Sequence, residues 1–250
     1  KATTRYDSGG NYLLIGKIDA EKYGIQLNYA DKGMHGSSQV VTWHAIADSM
    51  VFENGPTFLN IPVIIMESVG DYIIFGTNIL EQFLSTVDYP NERFIFTPRE
   101  RPELFSDHYK LLPQNQKIVP FYLWSDHYMI AKGKFADHDS LNLFFDSGLI
   151  AITVIDGKPV QASFTSSREK LLQWGFDESK MNQTTFFPTA YALEVGGLNQ
   201  PNTLVWYDHN LPKDRVFGGI RIDGLISHAW LKNYTWTINF DQMNYTFGTR

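Results

Sequence analysis

The sequence contains no cysteine. That excludes disulfides, thiolate-bound zinc and thiol catalysis. It does not fix a compartment, because a cysteine-free chain suits either redox setting. Long apolar runs are also missing. No stretch approaches the roughly 18 residues that cross a bilayer as a helix, so no membrane span is expected. No signal peptide is visible. Basic runs are short, the net charge is −6 and the pI is near 5.6, which argues against nucleic acid as a partner.

What remains is a chain of 250 residues with 43% hydrophobic, 19% charged and 15% aromatic residues, enough for a sizeable core. Short alternating runs dominate, among them 58–65, 93–96 and 235–240. They are rich in β-branched and aromatic residues and are bounded by Gly, Pro, Asn and Asp, so they read as strands. Most of the aromatic residues fall at these strand positions and are expected in the core. Helical patterns are few and short: Ile18–Tyr23, Asn78–Phe83, Ser167–Trp174 and Ser227–Leu231. The expected class is all-β with a few short helices.

An internal repeat organises the chain. Tyr6-Asp7-Ser8-Gly9 in the first half is matched by Phe145-Asp146-Ser147-Gly148 in the second. Each is followed by an apolar run, Tyr12–Ile15 and Leu149–Ile152, and then by a short helical pattern ending near Gly24 or Gly175. Strand pairs around 49–65 and 191–206 recur, and so do the closing segments 76–96 and 224–247. Residues 98–116, with Pro98, Pro102 and Pro113, read as the linker. The expected organisation is a first lobe over 1–97, the linker over 98–116 and a second lobe over 117–250.

A single Asp-Ser-Gly is an ordinary turn sequence. Two copies at matching positions of repeated halves make Asp7 and Asp146 candidate catalytic residues. In this respect the chain resembles the pepsin/retropepsin-like aspartic proteases, in particular the bacterial type with two fused lobes. That family pairs Asp-Thr/Ser-Gly with a later glycine preceded by two apolar residues. Here the first lobe has Ile74-Phe75-Gly76 and the second is read as Ile222-Asp223-Gly224.

The resemblance implies a bilobal acid-protease fold of two pseudo-symmetric β-lobes and a peptide-hydrolysing activity. Asp7 and Asp146 would share a water, with no cofactor and no metal. Ser8, Gly9, Ser147 and Gly148 would support the two loops. A hairpin within 33–44 would cover substrate, with Met34, His35 and Trp43 as candidate contacts. The partner would be a peptide or protein substrate, and the protein a monomer. Only six residues precede Asp7, so the family's opening hairpin is absent from the first lobe. The implication is upstream sequence that was cleaved, that remains docked as a separate peptide, or that lies outside this sequence. With Lys1 at the start in place of Met, a cleaved export signal is one explanation and omission of upstream residues by cloning the other; on the first, a periplasmic or secreted location is expected. Asp223 stands where the family has an apolar residue, and a carboxylate there must be protonated, paired or exposed. The helix after Gly224 reads about three residues longer than its first-lobe counterpart.

Other signals are weaker. Ser106-Asp107-His108-Tyr109, Ser125-Asp126-His127-Tyr128 and Asp137-His138-Asp139 match no metal spacing and read as solvated loops. His209 is also placed in a loop. The rival functional class is a non-catalytic peptide- or glycan-binding protein on an aspartic-protease scaffold.

Overall fold

The structure is a computed structural model. It describes all residues except 1, 2, 36, 37, 54, 68, 71, 125–127, 208–215, 218 and 250. The expectations about Asp126, His127 and His209 therefore lie outside the described residues. The chain divides into two compact units, Lys1–Ile79 and Leu80–Arg250.

Unit 1 runs β1 (Thr3–Tyr6), β2 (Leu13–Gly16), α1 (Lys17–Lys22), β3 (Tyr29–His35), β4 (Ser38–Val51), β5 (Thr57–Met66), β6 (Tyr72–Phe75) and α2 (Thr77–Leu80). Its described strands form one sheet in the order β1-β6-β2-β5-β4-β3. The alternation read from sequence is visible in β5, where Phe58, Ile61, Val63 and Ile65 are buried and Thr57, Leu59 and Pro62 are exposed. The helical pattern expected to reach Phe83 stops at Leu80, and Phe83 begins the next strand.

Unit 2 begins with β7 (Phe83–Asp88), β8 (Arg93–Pro98), α3 (Phe105–Lys110), β9 (Gln116–Trp124), β10 (Tyr128–Phe135) and β11 (His138–Phe145). It continues with β12 (Ile152–Ile155), β13 (Lys158–Gln161), β14 (Phe164–Thr165), α4 (Arg168–Gln173), α5 (Glu178–Met181), β15 (Phe186–Pro188), β16 (Leu193–Val195), β17 (Leu198–Gln200) and β18 (Leu204–Trp206). It closes with β19 (Val216–Phe217), β20 (Ile220–Arg221), β21 (Gly224–Ile226), α6 (His228–Leu231), β22 (Thr235–Asn239) and β23 (Asn244–Gly248). A long sheet follows the order β15-β18-β14-β21-β11-β10-β9-β23-β22-β7-β8. Its core is aromatic. Trp230, Trp236, Phe145, Tyr245 and Phe247 are fully buried and pack on one another, with Phe145 and Tyr245 rings 4.8 Å apart. Buried aromatic side chains of this size contribute about 1.5–3 kcal/mol each.

Strand β7 is buried along its whole length and carries polar residues into the core. Each needs a partner there. The Ser85 hydroxyl donates to the Leu80 carbonyl, 2.9 Å. The Thr86 hydroxyl lies 2.6 Å from that of Thr237 on β22 and 2.7 Å from Nε2 of His108. Nδ1 of His108 meets the Thr97 hydroxyl at 2.8 Å. His108 is therefore not a solvated loop residue. It sits on α3, 2% exposed, inside the segment read as a linker, and burial lowers its pKa from 6.5 to about 4. A His-containing tetrapeptide carries no mark of this burial, because both ring partners come from strands distant in sequence.

Asp88 is also buried. Burial alone would raise its pKa, but hydrogen bonds from Asn91, Thr235 and Arg93, together with the Arg93 charge, hold it below the usual carboxylate value.

Candidate active site

Each Asp-Ser-Gly follows a strand that pairs in parallel with the strand entering the next short helix. In unit 1, β1 runs beside β6 with Tyr6 opposite Phe75. In unit 2, β11 runs beside β21 with Phe145 opposite Ile226. The chain then leaves each strand in the same way. The amide of Asp7 donates to Phe75 O at 3.1 Å, and that of Asp146 to Ile226 O at 2.9 Å. The amide of Gly9 donates to Asp7 Oδ1 at 2.7 Å, and that of Gly148 to Asp146 Oδ1 at 3.0 Å. The third amide along returns to the aspartate carbonyl, Gly10 to Asp7 at 3.4 Å and Leu149 to Asp146 at 3.2 Å. The first helical amide closes the loop, Thr77 to Gly10 O at 2.9 Å and His228 to Leu149 O at 3.2 Å. The same backbone bonds are made to both carboxylates and both loops. Asp7 and Asp146 are half-buried, while Ser8 and Ser147 are 0% and 3% exposed.

This geometry corrects two sequence pairings. Phe75 is matched by Ile226, so the counterpart of Ile74-Phe75-Gly76 is Leu225-Ile226-Ser227, not Ile222-Asp223-Gly224. With that register the helices are equal, Thr77–Leu80 and His228–Leu231, and the apparent extra three residues vanish. The glycine signal misled because unit 2 has serine at the expected position. A Cβ at Gly76 would lie 2.4 Å from Gly10 O and 2.9 Å from Tyr12 O. Ser227 instead uses its side chain, donating to Ala162 O at 2.5 Å and accepting from the Ala229 amide at 3.1 Å as a helix cap.

Asp223 lies on the far side of Gly224 from this motif. Its Oδ1 meets Lys170 Nζ and its Oδ2 accepts from the Asn142 amide at 2.8 Å, so it is paired.

The second correction concerns the apolar run after each loop. β2 pairs in parallel with β5 and antiparallel with β6. The strand with those relations in unit 2 is β14, parallel to β18 and antiparallel to β21. Leu13 therefore corresponds to Phe164. Residues 149–152 are not its equivalent, and 150–161 form an inserted hairpin, β12–β13, immediately after the second loop. Ala151 and Ala162 close its base, with Leu204 beneath, while Ile150, Ile152 and Val154 are 52%, 53% and 67% exposed. From β14 onward the correspondence resumes. α1 and α4 end in matching bonds, Ile25 to Ala20 O and Phe176 to Leu171 O, across Gly24 and Gly175 at φ +71° and +82°.

The hairpin expected within 33–44 is present as β3–β4, with Met34 opposite Gln39 and His35 opposite Ser38. The side chains of Met34 and His35 lie outside the described residues. Trp43 is half-buried on β4, with Lys17 Nζ 4.7 Å from its ring centre. In unit 2 the corresponding stretch holds α5 instead. Among the described residues no group of three or more His, Asp or Glu is placed to hold a metal ion. Nor is any helix there long and apolar enough to cross a membrane.

A duplicated β-frame presenting two such loops is the architecture of the aspartic proteases, and comparison with solved structures agrees. The chain is similar to the aspartic proteinase from Irpex lacteus over 98% of its own length and 88% of that chain, with a TM-score of 0.50 and 10% identity. It is also similar to a retropepsin-like aspartic protease from Rickettsia conorii, over 33% of this chain and 63% of that one, with a TM-score of 0.24 and 22% identity. At 10% identity the first likeness shows the pepsin-like fold, and the second is too partial to add to it. No family model matches the sequence, and no curated protein matches it either.

Proposed function

We propose that the protein is an aspartic endopeptidase in which Asp7 and Asp146 act together on one peptide bond. The observation that carries this reading is the identity of the two loops: each aspartate is held by the same set of backbone hydrogen bonds on a duplicated frame. Two carboxyls acting on one water cannot both ionise cheaply and share a proton, the known behaviour of such pairs in aspartic proteases. The ionised member takes a proton from the water as its oxygen attacks the peptide carbonyl carbon. The protonated member gives its proton to the carbonyl oxygen. The resulting diol collapses as the amide nitrogen is protonated and the C–N bond breaks. Which aspartate starts protonated is a property of the pair. An extended peptide would lie strand-like against the protein, with the β3–β4 hairpin, carrying Met34, His35 and Trp43, contributing contacts.

The test is cleavage of a denatured protein substrate at acidic and neutral pH, with a statine-type transition-state analogue as inhibitor. Asp7→Asn and Asp146→Asn should each lower turnover by about 10²–10⁴-fold with an unchanged melting temperature, since an asparagine oxygen still accepts the Gly9 or Gly148 amide. Full activity in either folded variant refutes the mechanism. Tight binding of the analogue without cleavage under any condition would favour a binding protein on this scaffold.

A further inference from the structure

The hairpin β12–β13, inserted directly after the second Asp-Ser-Gly loop, has two unlike faces. Asp156 and Gly157 at its turn have φ of +50° and +74°, the left-handed pair that a two-residue hairpin turn requires. Ile155 and Lys158 flank that turn, and at the base the Ala162 amide donates to Ala151 O at 2.9 Å. Antiparallel pairs alternate, so backbone bonds join Ala151 to Ala162, Thr153 to Val160 and Ile155 to Lys158. Pro159, with no amide proton, falls at a pair that makes none, opposite Val154. On the bonded face Ile155 and Val160 pack against the cluster of Ala151, Ala162 and Leu204.

The alternate residues do the opposite. Ile152 and Val154 are more than half exposed, and Pro159 is exposed beside them. Their strand leaves the backbone N–H and C=O groups of Ile152 and Val154 directed away from β13. Among the described residues β12 has no partner on that side. Natural edge strands are commonly blunted by a charge or a proline. β12, Ile-Thr-Val-Ile, carries neither.

This edge is continuous with the loop that holds Asp146. The Leu149 amide returns to Asp146 O, Ile150 follows it exposed, and β12 starts at Ile152. At about 3.4 Å per residue, Val154 is at most about 27 Å along the chain from Asp146. An extended peptide spans that distance with about eight residues.

The geometry points to a second substrate-binding element, remote from the cleaved bond, on the outer edge of β12. A strand of the substrate adds to the backbone groups of Ile152 and Val154, and its alternate side chains rest on Ile150, Ile152 and Val154. The occupant is the substrate because a peptide held at Asp146 has this edge beside it as the loop runs out. The class of substrate is a polypeptide with two apolar residues spaced two apart, within about eight residues of the cleaved bond on one side. This inference rests on the peptidase reading.

The test starts with brief digestion of denatured serum albumin, with the cut bonds read by mass spectrometry. Cut sites should be enriched in the apolar pair. Two synthetic peptides are then made from the most frequent site, a long one that includes the pair and a truncated one that stops short of it. Wild-type KM should be about tenfold lower for the long peptide. The double variant Ile152→Ser, Val154→Ser, with an unaltered melting temperature, should bring the two KM values together. The Asp146→Asn protein should bind the fluorescent long peptide about tenfold more tightly than the truncated one, read by anisotropy. Equal KM for both peptides in the wild type overturns the inference, as does a double variant that still prefers the long one. A dimer of the free chain that the two substitutions dissociate also overturns it, by assigning the edge to a second copy. Cleavage without enrichment of the pair sinks this inference alone. No cleavage at acidic or neutral pH sinks the peptidase reading and this inference with it.

Discussion

The two Asp-Ser-Gly halves share the backbone hydrogen bonds of their loops and diverge immediately outside them. Backbone amides hold Asp7 and Asp146 alike, yet one loop is followed directly by the core strand β2 and the other by twelve inserted residues, 150–161. After the next helix, unit 1 builds the β3–β4 hairpin and unit 2 a helical turn, α5. Among the described residues β1, before Asp7, pairs on one side only, with β6, whereas β11, before Asp146, pairs with both β21 and β10. The backbone bonds around each Asp-Ser-Gly recur in both halves, while the segments that follow the two loops differ.

The largest test of this correspondence is in the core. If β14 is the counterpart of β2, Phe164→Ala removes a fully buried ring and should cost about 4 kcal/mol, read by urea unfolding. A cost below about 1 kcal/mol would break the assignment.

The halves should also differ in their response to acid. His108 is buried in unit 2 with its pKa lowered to about 4. Between that value and the ordinary 6.5 the unfolded chain binds a proton that the folded chain does not, so stability is present above pH 6.5 and lost as pH falls toward 4. The loss is at most about 3 kcal/mol. Amides of β7 and β22 should lose exchange protection over that range, and His108→Gln should flatten the dependence. Acid-insensitive protection in β7 would show that His108 takes up its proton without cost.

The glycine–serine difference offers a sharper comparison. Gly76→Ser should destabilise by about 2–3 kcal/mol, because its Cβ meets backbone oxygens that cannot move cheaply. Ser227→Gly should cost about 1–2 kcal/mol through the lost cap and the lost bond to Ala162. Thermal melts that reversed this order would refute the equivalence. The smallest effect is expected on the inserted hairpin, where Val154→Ser should change stability by less than about 0.5 kcal/mol. A larger loss would mean that its exposed face is covered.

Much of this was legible before any coordinates. The strand periodicity, four of the six described α-helices and the repeated tetrapeptides follow from local rules, because alternation, capping residues and turn chemistry act over a few neighbours. The paired state of Asp223 was among the outcomes that burial cost allowed. The two mispaired segments show the limit. Leu149–Ile152 looks like a core strand by composition, and Ile222-Asp223-Gly224 carries the expected glycine, but both lie off the true register.

By itself, then, the sequence determined the class of the fold and the positions of two matching Asp-Ser-Gly turns, since a tripeptide that occurs twice requires no knowledge of contacts. Tertiary structure alone decided which strands correspond, that Ser227 does the work of a glycine, and that His108 is buried. Each of these depends on partners far apart in the chain, and spacing along a sequence does not encode which distant backbone a residue will meet.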